Sequence, residues 1–261
     1  MNKYAIHIEN LCFAYEKESV LKHLSLDITA GRICFIMGDN GSGKTTLLKN
    51  IMGFLHPQSG NIQVLDRNVF EADRRSMSKL MSYVSQAIHL HTDFSVIDYI
   101  SLGRTPYIGI RNNLGDEDYR IIEKISLLLG IDSILGIPFN KLSGGQKQMS
   151  AVARSLIQDT PIIVMDEPMS ALDIGKQVDL LNVLYNFSKE GKTIILTTHN
   201  PNHALAIDSE ACFMKHGEII SSGKSKDIIS DKLLQEVYGK NIMLDHGERT
   251  DSVIFNTSAL N

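Results

Sequence analysis

Three stretches of this chain set chemically able side chains at the ends of apolar runs. The first, Gly38-Asp39-Asn40-Gly41-Ser42-Gly43-Lys44-Thr45, is a full match to the pattern GxxxxGK[ST]. Its glycines let the backbone curl so that several N–H groups converge on phosphate oxygens. Lys44 would then reach the β- and γ-phosphates of a nucleotide, and Thr45 would ligate Mg²⁺. Ile33 to Met37, just before the loop, reads as a buried parallel strand. After it, Leu47, Leu48, Ile51 and Met52 give a helix its core face, which Gly53 ends. That helix aims its positive end at the anion. The candidate phosphate ligands are Gly38, Asn40, Gly41, Ser42, Gly43, Lys44, Thr45 and Thr46.

The second stretch, PIIVMDEP at 161–168, is an apolar strand ending in two carboxylates. Asp166 at its end would sit beside Mg²⁺, usually through water. Glu167 is one residue further and points elsewhere, so it can accept a proton from an attacking water. The third, KTIILTTHN, is an apolar strand ending at His199, a candidate hydrogen-bonding sensor for a γ-phosphate. Gln86, after an apolar strand from Leu80 to Val84, could reach Mg²⁺ or the lytic water. It ends another strand on the sheet edge where ligands of open α/β folds collect.

A further glycine-rich turn, LSGGQKQ at 142–148, opens a helix whose apolar face is Met149, Val152, Ala153, Leu156 and Ile157. It is a second anion-binding helix start, but it carries no lysine of the phosphate-loop kind.

The elements around these residues fit one large domain, or one domain with a sizeable insertion. Of 261 residues, 43% are hydrophobic, enough for a substantial core. A net charge of −4 and a pI of about 6.1 argue against a phosphate-backbone binder with a broad basic face. Cys12, Cys34 and Cys212 are scattered and form no CxxC pair, which suits a reducing compartment without disulfides or a thiolate metal site. No signal-peptide run and no stretch of about 20 apolar residues is visible, so the chain is expected in the cytoplasm, touching membranes only through a partner. In DYRIIEKISLLLG, the spacing puts Ile121, Ile122, Ile125, Leu128 and Leu129 on one helix face, and Asp116 to Asp118 form its acidic first turn. His89 and His91 form an HxH, read as part of a solvated loop because two histidines without further ligands rarely hold zinc.

The order GDNGSGKTT, Gln86, LSGGQ, IIVMDE, SALD and His199 resembles the ATP-binding cassette of ABC systems over nearly the whole chain. The resemblance implies an α/β fold: a P-loop NTPase, RecA-like core with an N-terminal antiparallel β subdomain and an inserted helical subdomain. The core would be 1–86 and 156–222, the helical subdomain 87–155, and 223–261 a short tail. It also explains the turn without a lysine. In this family Ser143, Gly144, Gly145 and Gln146 would face the γ-phosphate held by a second copy, giving a head-to-tail dimer with two sandwiched ATPs. Tyr15 matches the aromatic that stacks on adenine. Ser170-Ala171-Leu172-Asp173 matches the loop by which one cassette contacts the other's site, and Met169 stands where the family often has Thr.

Within the family, FSVIDYISLGRTPY and LLQEVYGKNIML, with its Tyr238-Gly239 pair, resemble importers of iron–siderophore, haem and cobalamin. THNPNHALAID resembles a branch that includes molybdate- or tungstate-type uptake ATPases. The implied partners are a second copy, two permease subunits at the cytoplasmic face of the membrane and, indirectly, an extracytoplasmic binding protein. Non-transport cassettes acting on nucleic acid are the alternative. No heptad run interrupts the chain between Lys44 and Asp166, and no nucleic-acid partner is expected.

Overall fold

A computed structural model describes residues 3–87, 93–108, 113–247 and 251–255, so His89 and His91 lie outside the described residues. In chain order the elements are β1 (Tyr4–Tyr15), β2 (Glu18–Thr29), β3 (Ile33–Met37), α1 (Lys44–Ile51), β4 (Ser59–Val64) and β5 (Arg67–Asn68). Next come α2 (Arg74–Ser78), β6 (Met81–Val84), α3 (Val96–Ser101), α4 (Asp116–Leu128), α5 (Gly144–Ile157), β7 (Ile162–Met165) and α6 (Ile174–Lys189). The chain continues through β8 (Thr193–Thr198), α7 (Asn202–Leu205), β9 (Glu210–Lys215) and β10 (Glu218–Lys224). It closes with α8 (Ser225–Ile228), α9 (Asp231–Tyr238), β11 (Ile242–His246) and β12 (Asp251–Phe255). Two compact units result, Met1–Ala72 with Thr193–Asn261, and Asp73–Lys192.

The first unit holds an antiparallel sheet in the order β2-β1-β4-β5. Alternation along β1 buries Ile6 and Ile8, which face Ile28 and Leu26 of β2. Leu11 is three residues beyond Ile8 and would face outward in a regular strand. Between them the register shifts and Asn10 takes φ 47°, so the bulge returns Leu11 to the core opposite Leu24. The strand ends at Tyr15, which pairs with Glu18 across a two-residue turn.

The same unit holds β3 between β8 and β9, parallel to both, with β10 antiparallel outside β9. Every residue of β3 is buried, as its unbroken apolar run requires of an internal parallel strand.

The second unit pairs β6 with β7 in parallel, from Met81 opposite Ile162 to Val84 opposite Met165. Helices α3 and α4 pack on α5, whose buried face includes Met149, Val152, Ala153, Leu156 and Ile157, as the periodicity predicts. Arg104 is nearly buried and ties two helices together: Nε donates to Asp118 in the first turn of α4 at 2.6 Å, and Nη1 to the Ile157 carbonyl at 3.1 Å. The Gly115 amide and then the Arg104 guanidinium hold the Asp118 carboxyl below its ordinary pKa.

Two expectations need correcting. Leu128 is 47% exposed, and the buried face of α4 is Ile122, Ile125 and Ser126, with Leu129 just beyond the helix and Ile121 half-buried. Leu128 lies two turns after the half-buried Ile121 on the same flank of that face, while Leu129 falls at its centre and is buried. The strand expected from Leu80 begins at Met81, because the Leu80 amide instead closes the turn onto the Met77 carbonyl.

Candidate active site

In the first unit β3 hands directly into the glycine loop. Gly38 has φ 150°, and a Cβ there would lie 2.2 Å from the carbonyl oxygen of Met214 on β9. Gly43 caps α1 with φ 101°, a left-handed geometry that glycine adopts without penalty. The Lys44 side chain is only 7% exposed and folds back over the loop. Its ammonium donates to the carbonyls of Gly38 and Asp39, both at 2.8 Å. Asn40 and Gly41 form the exposed rim, Ser42 and Thr46 are buried, and Thr45 is half-buried.

The Ser42 hydroxyl oxygen is buried and makes no hydrogen bond within the protein. A buried hydroxyl left so costs roughly 1–3 kcal/mol. A phosphate oxygen in the cradle would relieve it, so the loop fits a nucleotide.

His199 follows β8, and Met37 is the register partner of Thr198, so Gly38 and His199 leave neighbouring strand ends. His199 itself is exposed. Tyr15 closes β1 with its ring 44% exposed and held edge-on against Phe13, centroids 4.8 Å apart. An exposed, braced ring can offer a stacking face.

Tyr238 of α9 buries its hydroxyl near the Gly38 amide and Asp39, and this burial pushes its pKa well up. Spacing gave no hint of this, since the tyrosine is some two hundred positions away in the chain.

In the second unit Asp166 follows β7, 1% exposed, and its amide donates to the Val84 carbonyl at 2.8 Å. Gln86 leaves the paired strand β6 two residues beyond that carbonyl and is exposed. Burial and then the Asp166 charge push the Tyr83 phenol well up. Glu167 is half-buried and has φ 46°, a left-handed conformation uncommon outside glycine. That turn separates its direction from that of Asp166. Its carbonyl is held by the Ser170 amide at 3.2 Å and the Ser170 hydroxyl at 3.0 Å.

The same unit carries the second glycine turn. Ser143 caps α5: its hydroxyl accepts from the Gln146 amide at 3.3 Å, while its own amide donates to the Gln146 carboxamide oxygen at 2.9 Å. Both caps are therefore satisfied at the backbone. Ser143 and Gly144 stay exposed, and a Cβ on Gly145 would lie 3.1 Å from the Ala171 carbonyl. So the turn packs against the loop ending at Asp173, whose carboxylate caps α6 by accepting from the Lys176 amide at 2.9 Å. Met169 is buried beneath that loop.

Residues 21–170 match the family described as ABC transporter. This chain belongs to that family. Among its relatives, the petrobactin import ATP-binding protein YclP of Bacillus subtilis is 30% identical over 91% of this chain and 94% of its own length. A solved ABC transporter assigned to the metal-chelate type, inward-facing, is 25% identical with a TM-score of 0.84 and covers 100% of both chains. The dimeric ATP-binding cassette MJ0796, in a post-hydrolysis state with ADP and phosphate, is 26% identical with a TM-score of 0.77 over 84% of this chain and 98% of that one.

The fold is thus the mixed α/β fold of an ABC ATPase, with its antiparallel β sheet and helical region. Among the described residues no helix is long and apolar enough to cross a membrane. Nor does any group of three or more His, Cys, Asp or Glu among them offer a metal site.

Proposed function

We propose that this chain is the ATP-hydrolysing subunit of an ABC importer for a metal chelate of the iron–siderophore, haem or cobalamin kind. The observation that carries the reading is the loop itself: Lys44 folded over the Gly38 and Asp39 carbonyls, beside a buried Ser42 hydroxyl that lacks a partner. The likeness to a petrobactin import protein over nearly its whole length supports the substrate class.

In this reading Tyr15 stacks on adenine, and the loop amides with Lys44 bind the β- and γ-phosphates. Thr45, Asp166 and Gln86 are the residues that would hold Mg²⁺, which would add positive charge against the phosphates when bound. Glu167 takes the proton of the attacking water, and His199 donates a hydrogen bond to the γ-phosphate. Ser143, Gly144, Gly145 and Gln146 of a second copy complete the site, as Asp173 and its loop meet the neighbour. Residues 87–155 serve as the helical subdomain that receives two permease subunits at the cytoplasmic face of the membrane. An extracytoplasmic binding protein brings the solute.

The test is affinity purification of the tagged chain from detergent-extracted membranes of its own host. A polytopic permease should co-purify in a 2:2 complex, and loss of chelate uptake should follow deletion of the chain. Recovery without a membrane protein, and with nucleic acid, would overturn the transport reading.

A further inference from the structure

His203, in the short helix α7, is 8% exposed, and its two ring nitrogens bond to the two residues that flank His199. Nδ1 lies 3.0 Å from the Thr198 hydroxyl, and Nε2 lies 3.4 Å from the Asn200 amide nitrogen. The neighbours decide which end donates. The Asn202 amide donates to the Asn200 Oδ1 at 3.1 Å, so the NH₂ of Asn200 is the end turned to His203. Nε2 therefore accepts, and a neutral imidazole that accepts there carries its proton on Nδ1. That proton goes to Thr198 Oγ1, which also accepts from the Asn200 amide at 3.1 Å.

Burial and then the charge of His199 hold His203 down to about 4, which keeps this neutral tautomer at ordinary pH. The base of the clamp is itself anchored. Asn202 accepts from the Val253 amide at 2.6 Å and donates to the Val253 carbonyl at 3.2 Å, tying α7 to β12. Burying an imidazole costs more than burying a leucine unless both nitrogens are bonded. Here both bonds go to the chain neighbours of one exposed histidine.

We propose that His203 is a positioning residue for His199: by holding Thr198 and Asn200 together it sets the direction in which His199 leaves β8. The inference rests on the reading of His199 as the γ-phosphate hydrogen-bond donor.

The test is steady-state ATP turnover of the full chain with four substitutions. His203→Leu keeps the volume and removes both bonds. It should lower kcat by roughly 10–100-fold, with the KM for ATP within about threefold of the parent, because a misplacement of about 1 Å costs rate and not binding. His203→Gln, whose amide keeps one donor and one acceptor, should recover part of kcat. If His203→Leu does not fold, Thr198→Val cuts the same bond from the other side and should give the same split. A kcat within about twofold of the parent in the folded variants, or a KM rising in step with the loss, overturns the proposal. His199→Ala separates the premise from the inference. If it is inactive while His203→Leu and Thr198→Val are normal, the clamp alone is wrong. If it retains full kcat, the premise is wrong and the clamp falls with it.

Discussion

Met37 and Thr198 are register partners on adjacent parallel strands, so the phosphate loop and His199 begin side by side at one sheet edge. Each follows a fully buried strand, β3 apolar throughout and β8 of apolar residues with threonines. The backbone ladder therefore fixes their spacing.

Lys44 is the nearest cation to that edge in the loop, its ammonium already held at the mouth by two carbonyls. Lys44→Ala should weaken nucleotide binding by about 10–100-fold, the worth of a lost charge-assisted contact. Titration with a fluorescent ATP analogue checks it.

Gly38→Ala tests the loop backbone. The added methyl would meet the Met214 carbonyl oxygen at 2.2 Å, a backbone atom that cannot swing aside. The expected cost is at least 1–3 kcal/mol, roughly that of a residue forced into a disfavoured conformation. Denaturant unfolding should show a lowered midpoint, together with weaker nucleotide binding.

Glu167→Gln keeps the shape of the strand end and removes the base. ATP affinity should stay within about threefold while turnover falls by roughly 10²–10⁴-fold, the range of general-base contributions. Single-turnover kinetics with equilibrium binding separates the two quantities. An unchanged turnover rate would remove Glu167 from the role.

His203 gives stability a pH dependence with a definite sign. Its folded value of about 4 lies below the ordinary 6.5, so between those values the unfolded chain binds more protons. The contribution is complete above 6.5 and is lost as pH falls from there toward 4. Urea midpoints at a series of pH values should decline across that window, and His203→Leu should flatten the decline. Asp118 acts lower, because its pKa sits below an ordinary 3.8.

The sequence made the phosphate loop legible because a glycine pattern is local: its residues, from Gly38 to Thr45, are consecutive in the chain. The apolar runs of β3, β7 and β8 were equally readable, each being buried on both faces. Leu128 differs because helical spacing groups residues on a broad face and does not say how far burial reaches onto its flank. Asn10 shows the same limit in a strand, where a bulge changes which side chains face inward. His203 carries no signal in the sequence, and Tyr238, there only part of a pair with Gly239, gives no sign of its place beside the loop. Their roles depend on contacts that come from chain folding, Tyr238 with a loop far away in sequence, and His203 through an amide orientation only coordinates reveal.

The proposed site is shared between two copies, with the loop of one facing the Ser143 turn of the other. Mixing Lys44→Ala chains with Ser143→Arg chains, each inactive alone, tests it most directly. Mixed dimers would hold one site with an intact loop and an intact turn, so ATP turnover should reappear on mixing and rise with the mixed fraction. A mixture as inactive as its two parts, under conditions where the unaltered chain turns over ATP, would contradict the shared site.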